Sequence, residues 1–305
     1  MQTIVRLITA AIFLGLSAAI SAAEFKLDSA KIEEAAGAKG VLNKEEGVFK
    51  VSYPRTDIKV AIDGTVMPPF MGLTSWASFM SGMKAEAMVM GDMVLQQDEV
   101  NPAMSAALDN GLSVTALHNH FFYDEPRVYF MHIGGEGKTA SLAAAVKKIQ
   151  DKVKEVRTAS PNAAKGFSHP PLEGKSSISA APIEKVLGKG QAKDGMFKAV
   201  IGRTTKMPCG CEVGKEMGVN TWAAFYGTDE HAMVCGDFVV FEGELQGVLK
   251  SLRKSGINIV AIHSHMEGES PKVLYLHYWG VGPTDKLAEE LKVALETQLP
   301  KTATK

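Results

Sequence analysis

Histidine is the residue type in this chain whose spacing most clearly predicts chemistry. The pattern His-x-His-x11-His occurs twice, and six of the eight histidines in the 305-residue chain belong to its two copies. The first copy contains His118, His120 and His132; the second, 145 residues later, contains His263, His265 and His277. Three neutral imidazoles with one open position are typical of a transition-metal site. The two triads therefore predict a divalent transition metal as cofactor, with zinc favoured and copper possible.

Two strands with a short connection are predicted to carry each triad, over 112–122 and 127–133 and again over 257–266 and 272–279. Because side chains alternate along a strand, His118 and His120 are expected on one face. His132 lies on that face only if the residue numbers of two directly opposite residues, one from each strand, have an even sum. This holds, for example, if His118 lies opposite His132. Cross-strand Cβ atoms are then about 4.5–5.5 Å apart, close enough for one ion.

Two carboxylates are weaker candidates for a fourth ligand or a catalytic proton carrier. Asp92 and its counterpart Asp237 occupy equivalent Gly-Asp positions within predicted strands, where each could instead fix a bulge. Glu86 is the other candidate, and His231 stands at its position in the second copy, so the two sites need not be identical.

The duplication extends beyond the histidines and predicts two tandem modules. Gly91-Asp92 recurs as Gly236-Asp237, and Gly111 recurs as Gly256. The predicted organisation is a signal peptide over 1–23, a first module over 24–158, a linker over 159–182 and a second module over 183–305. Each module is predicted to be α+β, a largely antiparallel sheet with packed helices. The remaining predicted elements are strands over 72–80 and 85–95, and helices over 99–110, 139–156, 244–255 and 284–299.

The amino terminus predicts export. Arg6 precedes an apolar stretch over 7–20, and small residues follow at 21–23, which is typical of a secretory signal peptide. The predicted location is periplasmic or secreted, without a transmembrane anchor. A net charge of −1 at pH 7 does not favour binding to nucleic acid. The expected partner is a small-molecule ligand or a metal.

Three cysteines leave their role open. Cys209, Cys211 and Cys235 allow at most one internal disulfide, and the Cys209-Gly210-Cys211 pair could also bind a soft metal. The first module has no cysteine at the matching stretch, which favours a structural or redox role over metal binding.

Residues 91–132 resemble the LppY/LpqO family, a bacterial family of exported domains of unknown function. The stretches that carry the resemblance are EVNP at 99–102, TALHNH at 115–120 and DEPRVYFMH at 124–132. The second half looks like a diverged copy, with Ser264 in place of Asn119. The resemblance implies an exported protein and no particular activity. Because the first copy keeps the full motif, we expect it to bind metal at least as tightly as the second.

Three functions remain open on the sequence alone. The first is an exported transition-metal-binding protein, which could be a metal-dependent enzyme. The second is a non-catalytic periplasmic protein in which His118, Phe121, Tyr129 and Phe130 line a pocket for a small ligand or a cell-wall component. The third is an envelope interaction module whose duplication is purely structural.

Overall fold

The computed structural model describes residues 26–166, 169–172 and 174–298, so the predicted signal peptide lies outside the described residues. The first half contains α1 (Ser29–Ala36), β1 (Gly40–Asn43), β2 (Val48–Pro54), β3 (Ala61–Ile62), β4 (Thr65–Val66), β5 (Thr74–Ser81), β6 (Ala87–Gln96), α2 (Val100–Asp109), β7 (Ser113–His118), β8 (Asp124–Glu125), β9 (Val128–Gly137) and α3 (Thr139–Ala159). The second half contains α4 (Ala180–Leu187), β10 (Gly190–Lys193), β11 (Met196–Gly202), β12 (Thr205–Lys206), β13 (Glu212–Val213), β14 (Asn220–Gly227), β15 (Ala232–Phe241), α5 (Leu245–Lys254), β16 (Asn258–His263), β17 (Val273–Gly282) and α6 (Thr284–Glu296).

The two halves repeat the same element order, apart from β8, which has no counterpart among the described strands of the second half, and their long strands form one sheet. In the described residues, twelve strands follow the order β1-β2-β5-β6-β9-β7-β16-β17-β15-β14-β11-β10, and each neighbouring pair is antiparallel. The halves meet where Leu117 of β7 pairs with Ile262 of β16. The predicted α+β class with a largely antiparallel sheet is confirmed, whereas two separate sheets are not observed.

The helices pack on one face of this sheet. The main buried cluster includes Val89 and Met104 from the first half together with Val234 and Leu249 from the second. Contacts between α2 and α5 close the helical layer at the junction. The sequence suggested a core for each module. The structure instead buries the apolar faces of both halves in a shared core. The core is continuous because β7 of the first half and β16 of the second pair with each other.

Several predicted boundaries differ by a few residues from those observed, as expected for element ends. The difference that matters for the site concerns β7 and β16, which end at His118 and His263 and so exclude His120 and His265. Helix α4 begins at Ala180, inside the predicted linker. Gly111 has φ 82° and Gly256 has φ 78°, the left-handed conformation predicted where a helix ends.

The face opposite to the helices is partly covered by two loops, 55–73 and 203–219. The first loop buries Val60 and Leu73 against Val94, Val128 and Phe130 of the sheet. A corresponding cluster under the second loop contains Val219, Val239, Val273 and Tyr275. Both loops leave the centre of the sheet uncovered, and the histidines lie there.

A buried ion pair anchors each loop. Arg55 follows β2 and bonds both carboxylate oxygens of Glu99, at 2.7 Å and 2.8 Å. Arg203 follows β11 and bonds Glu244 in the same bidentate manner. The two glutamates precede α2 and α5, so each pair ties a loop to the start of a core helix. Neither pair was predicted from the sequence.

Candidate metal centre

A bulge in each of the two central strands determines where the histidines point. In the pair of β7 and β9, Val114 lies opposite Ile133, but the next paired residue, Ala116, lies opposite His132. Thr115 is therefore an extra residue in β7. Beyond it, the residue numbers of two opposite residues have an even sum instead of an odd one. The even register, on which the triad depends, is observed, although His132 faces Ala116 rather than His118. His118 lies opposite Phe130, so His118 and His132 share one face.

The second half repeats this irregularity at the equivalent position. Ile259 lies opposite Tyr278, and Ala261 lies opposite His277, which makes Val260 the extra residue. His263 then lies opposite Tyr275, on the same face as His277. The two halves thus use one device to bring their histidines together.

Each bulge is held by an amide side chain from the other half of the chain. Gln246 of α5 accepts a hydrogen bond from the Val114 amide at 2.9 Å and donates to the Val114 carbonyl at 2.9 Å. Asn101 of α2 makes the same pair of bonds with Ile259, at 2.9 Å and 3.2 Å. The helix of one half therefore satisfies backbone groups beside the bulge of the other half.

The second cluster has the closer set of donor atoms. Asp237, His263 and His265 each offer a ligand atom, and these atoms lie within 4.8 Å of one another. The Nε2 atoms of His263 and His265 are 2.9 Å apart. Asp237 Oδ2 is 3.6 Å from His265 Nε2 and 3.7 Å from His277 Nε2. His265 lies beyond the end of β16 and is positioned by stacking on the Tyr275 ring at 3.5 Å.

The first cluster is more open. The Nε2 atoms of His118 and His132 are 3.1 Å apart, and His132 Nε2 is 3.9 Å from Asp92 Oδ2. His120 is less close, because its ring stacks on Phe121 at 4.8 Å and its centroid is 6.4 Å from that of His118. Since His120 lies outside β7, strand alternation does not place it, contrary to our prediction. The geometry favours the second cluster, against the ranking that we predicted from the motif.

Backbone contacts identify the nitrogen that is available in His118. Its Nδ1 is 2.9 Å from the carbonyl oxygen of Asn119, which can only accept, so this contact selects the tautomer in which Nδ1 donates and leaves Nε2 as the ligand atom. The second copy does not repeat this contact, because His263 Nδ1 is buried without a hydrogen-bond partner among the described residues. Asp124, from the same motif, accepts a hydrogen bond from the Val128 amide at 2.7 Å and fixes the turn.

Burial dominates the electrostatics of both clusters. Burial raises the pKa of Asp92 and of Asp237, and the neighbouring histidines offset only part of that rise. Among the described residues, the Oδ1 atoms of both aspartates are buried without a hydrogen-bond partner. Burial, together with His277 and His265, lowers the pKa of His263 to about 4, which keeps its imidazole neutral. Buried carboxylates are normally paired or bound to metal.

Two other residues from the sequence prediction lie outside the clusters. Glu86 precedes β6 and accepts a 2.5 Å hydrogen bond from Thr139. Six residues of strand separate it from Asp92, about 20 Å, so it cannot transfer a proton at the cluster. His231 is equally displaced from Asp237, and its ring lies 6.4 Å from that of His169. It therefore does not add a ligand to the second cluster.

The cysteines are free thiols in the structure. Cys209 and Cys211 are exposed, and Cys235 is half-buried in β15. A hydrogen bond from Cys211 lowers the pKa of Cys209, and burial raises the pKa of Cys235. Within the described residues, they do not form part of the His-Asp cluster with closely spaced donor atoms.

Comparisons with known proteins place the chain by family and not by activity. No curated protein matches it. The trimeric bacterial microcompartment shell protein PduB is 13% identical, with 85% of this chain and 90% of that chain covered and a TM-score of 0.22. The double-ringed trimeric shell protein MSM0271 from the RMM microcompartment is 11% identical, with coverage of 75% and 83% and a TM-score of 0.18. At such scores, neither likeness bears on fold or function.

A family model gives the assignment. It matches the chain twice, over residues 30–152 and 181–297, and these two regions contain both histidine clusters and both bulges. The chain therefore belongs to the family described as Domain of Unknown Function (DUF1259), of which it contains two tandem copies.

Proposed function

We propose that this chain is an exported protein that binds divalent transition metal at its two His-Asp clusters, with zinc favoured and copper possible. The observation that carries the proposal is that Asp237, His263 and His265 converge within 4.8 Å, with His277 beside them. The first half repeats the arrangement with His118, His132 and Asp92. Imidazole nitrogen and carboxylate oxygen together suit zinc, and imidazole suits copper as well.

The unpaired carboxylates support the proposal independently of the histidines. A buried carboxylate oxygen without a partner is costly, and in each half that oxygen belongs to the aspartate that adjoins the histidines. A bound cation would supply the missing partner. If the protein is an enzyme, the metal would polarise a substrate oxygen or activate water. Asp92 and Asp237 are then the proton carriers nearest to it.

Export belongs to the same proposal and rests on the sequence over 1–23. Within the part of the chain that the structure describes, no helix is long and apolar enough to cross a membrane. The resemblance of residues 91–132 to the LppY/LpqO family is the second sequence observation that supports an exported location.

A second candidate is a small-ligand-binding protein. Tyr129, Val260 and Trp279 line a pocket of about 490 Å³ together with Gln97 and Asn101. That volume falls in the range of small-molecule sites. Tyr129 points away from His118 and Phe130, so this pocket differs from the aromatic pocket that the sequence suggested.

Metal analysis of the chelator-treated and zinc-reloaded mature protein tests the proposal. We expect about two ions per chain, and about one after alanine replacement of either triad. The matched control replaces His169 and His231, the two histidines outside the clusters, and should keep both ions. Fewer than one ion per wild-type chain, or the same loss in the control, would refute the metal site and leave the pocket as the candidate.

A further inference from the structure

Members of the second cluster border the ring of Tyr275. In the pair of β16 and β17, Tyr275 lies directly opposite His263. In the pair of β15 and β17, Asp237 is its diagonal neighbour on the same face. Diagonal positions are about 7–8 Å apart, which is within reach of an aromatic side chain. The ring also stacks on that of His265, with the two centroids 3.5 Å apart. Tyr275 therefore forms a wall of the second cluster.

The hydroxyl group of Tyr275 is not needed for packing. Tyr275 is fully buried, and within the part of the chain that the structure describes, its hydroxyl has no hydrogen-bond partner. A buried tyrosine hydroxyl normally has a partner, because leaving it without one costs free energy. In the first half the equivalent residue is Phe130, which packs beneath the first loop as Tyr275 packs beneath the second. The extra oxygen therefore indicates a role in binding at the second cluster.

The second cluster has room for a ligand on its metal ion. Asp237, His263 and His265 supply the three donor atoms that lie within 4.8 Å of one another among the described residues, and His277 is outside that group. Zinc with three protein ligands keeps a fourth position for water or a substrate atom. The side chain of His265 is 37% exposed, so the cluster is open to solvent. A ligand can reach the ion from this open side, while Tyr275 borders the ion from the buried side.

We propose that the Tyr275 hydroxyl donates a hydrogen bond to a carboxylate ligand at the open coordination position of this ion. The inference rests on metal binding at the second cluster, as proposed above, and names the class of ligand that this cluster recognises. A carboxylate fits because one of its oxygens can bind the metal while the group also accepts from the hydroxyl. Its single negative charge balances the one positive charge that a divalent ion and Asp237 leave. The first cluster, which has Phe130 at this position, lacks such a donor.

Visible spectroscopy of the Co²⁺-loaded protein tests the role of the hydroxyl. The full mature chain carries alanine at the three histidines of the first triad, so that one ion binds, at the second cluster. The probe is acetate, and the variant is Tyr275→Phe, which the fold should accept because Phe130 occupies the equivalent position. Loss of a hydrogen bond to a charged group should weaken acetate binding by about 10-fold or more. The Co²⁺ affinity should not change, and the thermal stability of the metal-free protein should not fall.

Two controls separate this effect from a general change at the site. Imidazole binds metal through its one free nitrogen and then has no acceptor left for the hydroxyl, so its affinity should be the same with and without Tyr275→Phe. Tyr278→Phe removes a buried hydroxyl on the other face of β17, where it donates to the Trp222 carbonyl at 2.9 Å. That variant should leave the affinity for acetate unchanged.

The outcomes distinguish this inference from the proposed function. Failure to bind Co²⁺ or Zn²⁺ would refute the proposed function, and the role of Tyr275 with it. Metal binding with the same acetate affinity in Tyr275→Phe would leave the proposed function intact and overturn the role of the hydroxyl. A loss of metal affinity in that variant would also overturn it, because the hydroxyl would then act on Asp237 and not on the ligand. Equal losses for acetate and imidazole would do the same.

Discussion

The amide of Gln246 offers the sharpest test of how the metal sites are built. Gln246→Met keeps the length of the side chain but removes both hydrogen bonds to Val114, whose backbone groups are buried. An unsatisfied buried donor or acceptor costs about 1–3 kcal/mol, so the two together cost about 2–6 kcal/mol. If the strand relieves that cost by losing its bulge, the register shifts by one residue and His118 turns to the other face.

The expected effect therefore crosses from one half of the chain to the other. Gln246 belongs to the second half, yet Gln246→Met should weaken metal binding at the first cluster and spare the second. The assay is a zinc titration of Gln246→Met in two backgrounds, each with one triad replaced by alanine. Urea unfolding in parallel measures the stability change. Lys250→Met, an exposed change on the same helix, serves as the control and should alter neither quantity.

The mirror variant completes the test. Asn101→Leu removes the two bonds to Ile259, so it should weaken the second cluster and spare the first. The reasoning would be refuted if each variant weakened the cluster in its own half. Equal weakening of both clusters would show only a general loss of stability, and unchanged affinities would show that the amides do not maintain the bulges.

Three further predictions concern charged and titratable groups. Asp237→Asn should lower zinc affinity at the second cluster by about 10- to 100-fold, yet leave the metal-free protein at least as stable in thermal unfolding, because it removes the charge of a buried carboxylate whose Oδ1 has no hydrogen-bond partner; a less stable metal-free variant would contradict this. Arg203→Met should destabilise the protein by about 3–5 kcal/mol in urea unfolding, because it strands the buried charge of Glu244; a change below 1 kcal/mol would refute the anchoring role. At pH 7–8, a thiol reagent should modify Cys209, whose pKa is lowered, before Cys235, whose pKa is raised by burial. Mass spectrometry of the labelled peptides measures the order, and earlier labelling of Cys235 would contradict this prediction.

The histidine pattern predicted part of the site because duplication doubled a weak signal. From the sequence, whether His118 and His132 share a face depended only on the register of the two strands, that is, on whether opposite residue numbers have an even or an odd sum. The sequence could not show which sum applies, because the extra residues in the two bulges are Thr115 and Val260. Both are β-branched residues, which look ordinary in a strand, whereas a glycine would have indicated a bulge.

The joining of the two sheets was also outside the reach of the sequence. Val114 and Leu117 are both buried, which shows that β7 is covered but not which strand lies beside it. The buried ion pairs were more accessible. Arg55 and Arg203 follow equivalent strands, and Glu99 and Glu244 stand at equivalent positions before helices. A charge repeated beside apolar segments in both halves is a signal for a buried pair, and we did not use it.

The pairing of Leu117 with Ile262 also bears on the origin of the chain. These residues occupy the same position in the two halves, so the pair lies on a local twofold axis, about which a residue i of one copy faces a residue j of the other as j faces i. That is the rule for an isologous interface in a symmetric homodimer. A single-copy ancestor could have assembled through this strand, with each subunit lending its helix amide to the other. Fusion of two such genes would have linked the subunits covalently and freed them to diverge, as Asn101 and Gln246 have done.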